Sequence, residues 1–154
     1  MRTNQSHVAL YNQLQSFARL YTFRDPNVSC LFGLRVNECY VLDYVANYGA
    51  LTVSRLADVL GIHKSNTSRI VAALESAGLV SLSRTADDGR TKTVELSPAG
   101  AAKHDEIQSY FVDRLRHVLE GFSPAEIESA KAVIAALTGD AENRILEVAE
   151  QQPA

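Results

Sequence analysis

The stretch LTVSRLADVLGIHKSNTSRIVAALESAG, Leu51 to Gly78, constrains the fold more than any other part of the chain. Val53, Leu56, Ala57 and Leu60 recur at helical spacing, so the first half predicts a short helix with one apolar face. Gly61 follows, and a glycine just past a helix accepts the left-handed backbone that ends it. A second helix is expected to start within His63 to Ser65 and run to Ala77, with Gly78 closing it. Ile70, Val71, Leu74 and Ala77 supply its inward face.

The outward face of that second helix has an unusual composition. Lys64, Ser65, Asn66, Ser68 and Arg69 crowd its first two turns, and no carboxylate occurs before Glu75. A merely solvated helix usually carries Glu and Lys in pairs four residues apart. Hydroxyls and amides donate to phosphates and base edges, arginine reads guanine, and lysine neutralises backbone charge. That is the chemistry of a recognition helix in a major groove. The plainer reading is a helix start, since Ser and Asn are favoured N-caps.

The residues after Gly78 favour DNA. The pattern changes to period two in Leu79, Val80 and Leu82, and again in Thr93, Val94 and Leu96. Between them lies Thr85-Ala86-Asp87-Asp88-Gly89-Arg90, and Asp-Gly between strand-like runs predicts a tight hairpin. Such a hairpin projects a tip carrying Arg84, Arg90 and Lys92 directly after a helix-turn-helix, the order of a winged helix. An arginine at a wing tip can enter the minor groove, where the potential is most negative.

Net charge is -3, which taken whole argues against a nucleic-acid partner. Its distribution argues the other way. His63 to Lys92 holds five cations against three anions, whereas Ser123 to Ala154 holds six anions against two cations. The chain of 154 residues is long enough to bury a core, and 46% hydrophobic with 21% charged residues is a globular composition. No apolar run reaches membrane-span length and MRTNQSH lacks a signal-peptide core, so a cytoplasmic location is expected. Cys30 and Cys39 are then expected to be reduced thiols.

The flanks read as helices. From about Asn4 to Phe23, a stripe of Val8, Tyr11, Leu14, Phe17, Ala18 and Tyr21 is expected. Asp25-Pro26-Asn27 is a turn. Asn37 is expected to cap a helix to Tyr48, and Thr52 to cap the next, with Leu51-Thr52 available as a short strand. Ser97-Pro98 opens a helix to about Glu120, expected to bury Ile107, Tyr110, Phe111, Leu115, Val118 and Leu119. Ser123-Pro124-Ala125-Glu126 is a capping box opening the last helix, with Gly139 as a candidate break. Long apolar helices flanking a compact unit have few places to pack within one chain, so pairing with a second copy is inferred. The fold class is mainly α with a small β-hairpin wing: a winged helix-turn-helix over 35–96, and a helical dimerisation region over 1–34 and 97–154 (an α+β arrangement).

The Leu-Ala pair (Leu56, Ala57), the Ser65 to Arg69 run, Gly78-Leu79-Val80 and the wing's Asp88-Gly89-Arg90 stand in one register. Together they resemble the MarR family of bacterial transcription regulators. The close part spans about residues 31 to 100. The resemblance implies a homodimeric repressor on a palindromic operator, relieved by a small molecule or by oxidation, with Asp88 positioning Arg90. His63 departs from the acidic or hydroxyl cap common in the family. The candidate DNA-contacting residues are Lys64, Ser65, Asn66, Thr67, Ser68, Arg69, Arg84, Asp88, Arg90 and Lys92.

Candidate effector residues are Tyr11, Phe17, Tyr21, Tyr40 and Tyr44, although aromatic stripes at helical spacing are more often plain core. An alternative within the family is thiol sensing of oxidants, electrophiles or metalloids. Cys30 is the better candidate, and Cys39 is expected to be buried and inert. A structural metal is not expected, since eight residues separate the two cysteines and no histidine is near. No cofactor is expected. An enzyme is disfavoured because the chain has no phosphate-binding glycine loop, no paired Cys/His spacing and no nucleophile elbow. A second rival, a winged-helix protein-contact module without DNA binding, is disfavoured by the basic wing. The expected partners are double-stranded DNA, a second copy and a small-molecule effector, with no membrane.

Overall fold

A computed structural model describes residues 5–23, 32–84 and 92–151. The chain divides into two compact units, Met1–Val36 and Asn37–Ala154. The first contains helix α1 (Gln5–Phe23). Val8, Leu10, Tyr11 and Phe17 of α1 are exposed, and Leu14 is half-buried. The stripe forms a helix as expected, and none of its described side chains is fully buried.

The second unit takes in nearly all of helix α2 (Val36–Tyr48), then strand β1 (Leu51–Thr52) and helices α3 (Val53–Leu60) and α4 (Lys64–Ser76). Strands β2 (Val80–Arg84) and β3 (Lys92–Leu96) come next, then long helices α5 (Pro98–Leu119) and α6 (Pro124–Gln151). Helix α2 starts one residue ahead of Asn37, which therefore lies in its first turn rather than capping it. Its buried face is Val41, Leu42 and Val45. Tyr48, expected on that face, is exposed.

The three strands form one antiparallel sheet in the order β1-β3-β2. Leu51 pairs with Val94, Thr52 with Thr93, and Val80 with Leu96. Period-two alternation turns Val80 and Val94 into the core and leaves Ser81, Ser83 and Glu95 outside. Thr52 ends β1 and also caps α3, its Oγ1 accepting from the Arg55 amide at 3.1 Å. The core of the unit is built from Val41, Leu42, Leu56, Val71, Leu74 and Val94, each with almost no exposure.

Most helix ends reflect local chemistry. Ser97 caps α5 by accepting from the Gly100 amide at 2.9 Å, with Pro98 in the first helical turn. Ahead of α6, the Glu126 carboxylate accepts from the Ser123 amide at 2.8 Å, and Ser123 Oγ accepts from the Glu126 amide at 3.4 Å, a reciprocal capping box. The Ser123 hydroxyl, which donates to the same carboxylate at 2.6 Å, and then the Ser123 amide hold the Glu126 carboxyl below its ordinary value. Helix α6 runs unbroken through Gly139. On α5, Ile107 is buried and Tyr110, Phe111 and Leu119 are half-buried. Leu115 and Val118, expected in the core, are 52% and 66% exposed. Their spacing marks an apolar face correctly, but the described residues leave it uncovered.

Candidate nucleic-acid interface

Helix α3 ends at Gly61, whose positive φ of 63° turns the chain into α4. A short helix, a sharp glycine turn and a second helix make the helix-turn-helix. The second member, α4, rests on a seam of Thr67, Val71 and Leu74, all fully buried. These residues recur at i, i+4 and i+7, so they share one side. Lys64, Ser65, Asn66, Ser68 and Arg69 occupy the rest of the first two turns and are exposed.

Thr67 is thus a correction. Expected among the DNA-contacting residues, it has no exposed surface, and its hydroxyl donates to the His63 carbonyl at 3.3 Å. Its place one turn before Val71 and two before Leu74 is the sequence signal for this. Ile70 is half-buried and Ala77 exposed, so the inward face is centred further toward Thr67 than the apolar residues alone suggest. Ser68 Oγ donates back to the Lys64 carbonyl at 2.9 Å while staying at the surface. His63 is the N-cap residue of α4 and makes no side-chain capping bond, which leaves early amides of α4 without a side-chain cap from His63.

The sheet after α4 brings the wing strands alongside. Arg84 ends β2 opposite Lys92, the exposed first residue of β3. Asp88 and Arg90, with the hairpin turn itself, lie outside the described residues, as do the side chains of Arg84 and Tyr21 and the whole of Cys30. Tyr11 and Phe17 are exposed in the first unit. In the second unit Tyr40 is exposed and Tyr44 half-buried, stacked on Tyr48 with ring centres 5.8 Å apart.

Cys39 is half-buried and outside any disulfide. Burial, and then the neighbouring Glu38 carboxylate, push its thiol above the ordinary value, against a smaller opposing effect of a backbone hydrogen bond. Such a thiol is poor in reactive thiolate at neutral pH. Among the described residues, no group of three or more His, Cys, Asp or Glu side chains is placed to hold a metal. No described helix is long and apolar enough to cross a membrane.

One polar residue of α5 that sequence reasoning passed over is buried. His104 keeps 9% of its surface, with Nε2 3.3 Å from Asp43 Oδ1 on α2. Its Nδ1 lies 3.6 Å from the Asp105 carboxylate. The available signal was its register, four residues after Gly100 and three before Ile107, both buried.

A helix-turn-helix with an exposed cationic and hydroxyl-rich second helix, followed by a β-wing, defines a winged helix-turn-helix protein. The model of the MarR family matches residues 32–91, the span that holds these elements. Over that span the chain is similar to the MarR family of winged helix-turn-helix transcriptional regulators. It is 29% identical over 103 residues to the uncharacterized HTH-type transcriptional regulator YfiV of Bacillus subtilis, a match covering 67% of this chain and 64% of that protein. The chain therefore spans somewhat less than two thirds of that relative. A MarR family protein from Bacillus stearothermophilus superposes with a TM-score of 0.77 at 24% identity, over 90% of this chain and 97% of that one. BpsR of Bordetella bronchiseptica, whose DNA binding is regulated by 6-hydroxynicotinic acid, superposes with a TM-score of 0.58 at 19% identity, over 88% and 99%.

Proposed function

We propose that the chain is a sequence-specific DNA-binding transcriptional regulator that acts as a homodimeric repressor of a palindromic operator and is released by a small molecule. The observation that carries the reading is the division of α4: a buried seam of Thr67, Val71 and Leu74 beneath an exposed run of Lys64, Ser65, Asn66, Ser68 and Arg69. Burial of the seam holds the helix in place, so the outward groups reach a duplex without first being ordered. Residues 35–96 are assigned to reading DNA, and 1–34 with 97–154 to pairing two copies.

The exposed apolar residues Val112, Leu115 and Val118 on α5, and Val133, Ile134 and Leu137 on α6, support pairing. Two copies related by a twofold axis would set their recognition helices about 34 Å apart, one turn of duplex. A ligand relieves repression only by favouring a dimer geometry that misfits this spacing. The regulated binding of BpsR supports an effector of small-molecule type.

The deciding experiment is fluorescence anisotropy of the full chain on duplexes from its own upstream region, across a salt series. A regulator gives a sequence-selective signal whose affinity falls steeply with salt. A protein-contact module gives neither, and that result overturns the reading.

A further inference from the structure

The recognition helix and α5 are joined by two interlocked helix caps. At the end of α4 the chain makes a Schellman turn. The Leu79 amide bonds the Leu74 carbonyl at 2.9 Å, the Gly78 amide bonds the Glu75 carbonyl at 2.9 Å, and Gly78 has a φ of 72°. The carbonyls of that turn then point onward rather than to water. Ser97, the cap of α5, donates its hydroxyl to the Gly78 carbonyl at 2.6 Å and its amide to the Leu79 carbonyl at 3.1 Å. The same hydroxyl accepts from the Gly100 amide. One serine side chain therefore starts α5 and binds the end of α4.

Gly100 completes the contact. A Cβ there would fall onto the Leu79 carbonyl oxygen, so only glycine allows the backbone of α5 to come this close. One turn later His104 bonds Asp43, and Ile107 is buried. The first three turns of α5 are thus part of the body that holds the recognition helix. From Val112 onward the same helix is largely exposed.

We propose that Ser97 and Gly100 are positioning residues for DNA recognition. They make α4 and α5 one rigid piece, so the geometry with which α5 pairs two copies is imposed on the recognition helices. The DNA part of this proposal rests on the dimer reading above. Neither residue is offered as a DNA contact.

The test has two readouts. The first is the distance between spin labels at Ser68→Cys on α4 and Gln108→Cys on α5, in a background with Cys30 and Cys39 replaced by Ser. Labelled chains are diluted into unlabelled ones so that only distances within one chain are read. The background protein and its Ser97→Thr form, which keeps the capping hydroxyl, are expected to give one narrow distance. Ser97→Ala and Gly100→Ala are expected to broaden or shift it. The second readout is affinity for duplexes selected from the organism's own genome, carrying two half-sites or one. Holding both half-sites at once multiplies affinity only if geometry permits it. Ser97→Ala is expected to lower the two-site advantage by about tenfold or more while leaving one-site affinity nearly unchanged. Ser97→Thr restores the advantage. Loss of stability alone would weaken both duplexes alike.

Unchanged distances in Ser97→Ala overturn the joint, and broadened distances with an unchanged two-site advantage overturn its role in recognition. Failure of the parent protein to retain any duplex overturns the DNA reading instead, while the distance readout still decides the joint. Ser97→Ala leaves the close approach at Gly100 intact, so it carries the test if Gly100→Ala does not fold.

Discussion

Helices α4 and α6 are both amphipathic in sequence, yet they stand in opposite relations to the chain. Helix α4 puts Thr67, Val71 and Leu74 wholly inside and keeps Lys64, Ser65, Asn66, Ser68 and Arg69 outside. Helix α6 runs close to α3, but none of its described residues is fully buried, and Val133, Ile134 and Leu137 are 41–59% exposed. The difference teaches what hydrophobic periodicity reports. It marks the face that wants covering, and leaves open whether the same polypeptide or another supplies the cover.

The largest expected effect tests the covered face. Leu74→Ala should cost about 2–5 kcal/mol, because it removes buried methyl groups and leaves a cavity under α4. Urea unfolding followed by helix circular dichroism measures it. A loss below ~1 kcal/mol would mean that the seam does not hold the recognition helix.

The next tests the uncovered face. Ile134→Asp should weaken self-association by about 2 kcal/mol if α6 supplies a central contact between copies. Sedimentation over a concentration series reads the mass. A mass unchanged at every concentration would remove α6 from the pairing surface.

Within α4 itself, Arg69→Ala and Thr67→Val form a contrasting pair. The first should cost about 1–3 kcal/mol of DNA affinity and leave folding intact. The second should leave DNA affinity unchanged and cost at most about 1 kcal/mol of stability, since it removes one back-bond to His63. Equal loss of affinity in both would place the threonine at the duplex after all.

The smallest effect concerns the start of α6. The Glu126 carboxyl is held below its ordinary value by the hydrogen bonds from Ser123. A depressed carboxyl stabilises the fold fully above its unfolded value, and that contribution fades as pH falls through the folded one. Protection of the first amides of α6 against hydrogen exchange, taken relative to the intrinsic rate at each pH, should therefore fall on acidification in the native protein. Glu126→Gln should show no such dependence.

Features that depend on neighbours in sequence are legible in it. Thr52, Gly61, Ser97 with Pro98, and the Ser123–Glu126 box act within a few residues, and each stands where its chemistry requires. The short strand Leu51–Thr52 is also legible, because the alternation of β3 offers it a partner. Features set by distant contacts are not. His104 is buried against Asp43, sixty-one residues away, and no local pattern announces that partner. Leu115 and Val118 carry the spacing of a core face, but the described residues leave them uncovered. In the candidate site, the polar run of α4 is legible as outward, except for Thr67. A hydroxyl looks like a reading group until its register with Val71 and Leu74 is counted.

Thr52 carries a consequence for how such a sequence can drift. It is paired in a strand with Thr93 and, through its side chain, begins the next helix. Strands favour β-branched residues, whereas helix starts favour Ser, Thr, Asp or Asn. Threonine alone belongs to both sets. Substitution by valine would keep the strand and fray the helix, and substitution by aspartate would do the reverse. Neutral change at this position is therefore closed off by two requirements that meet in one amino acid.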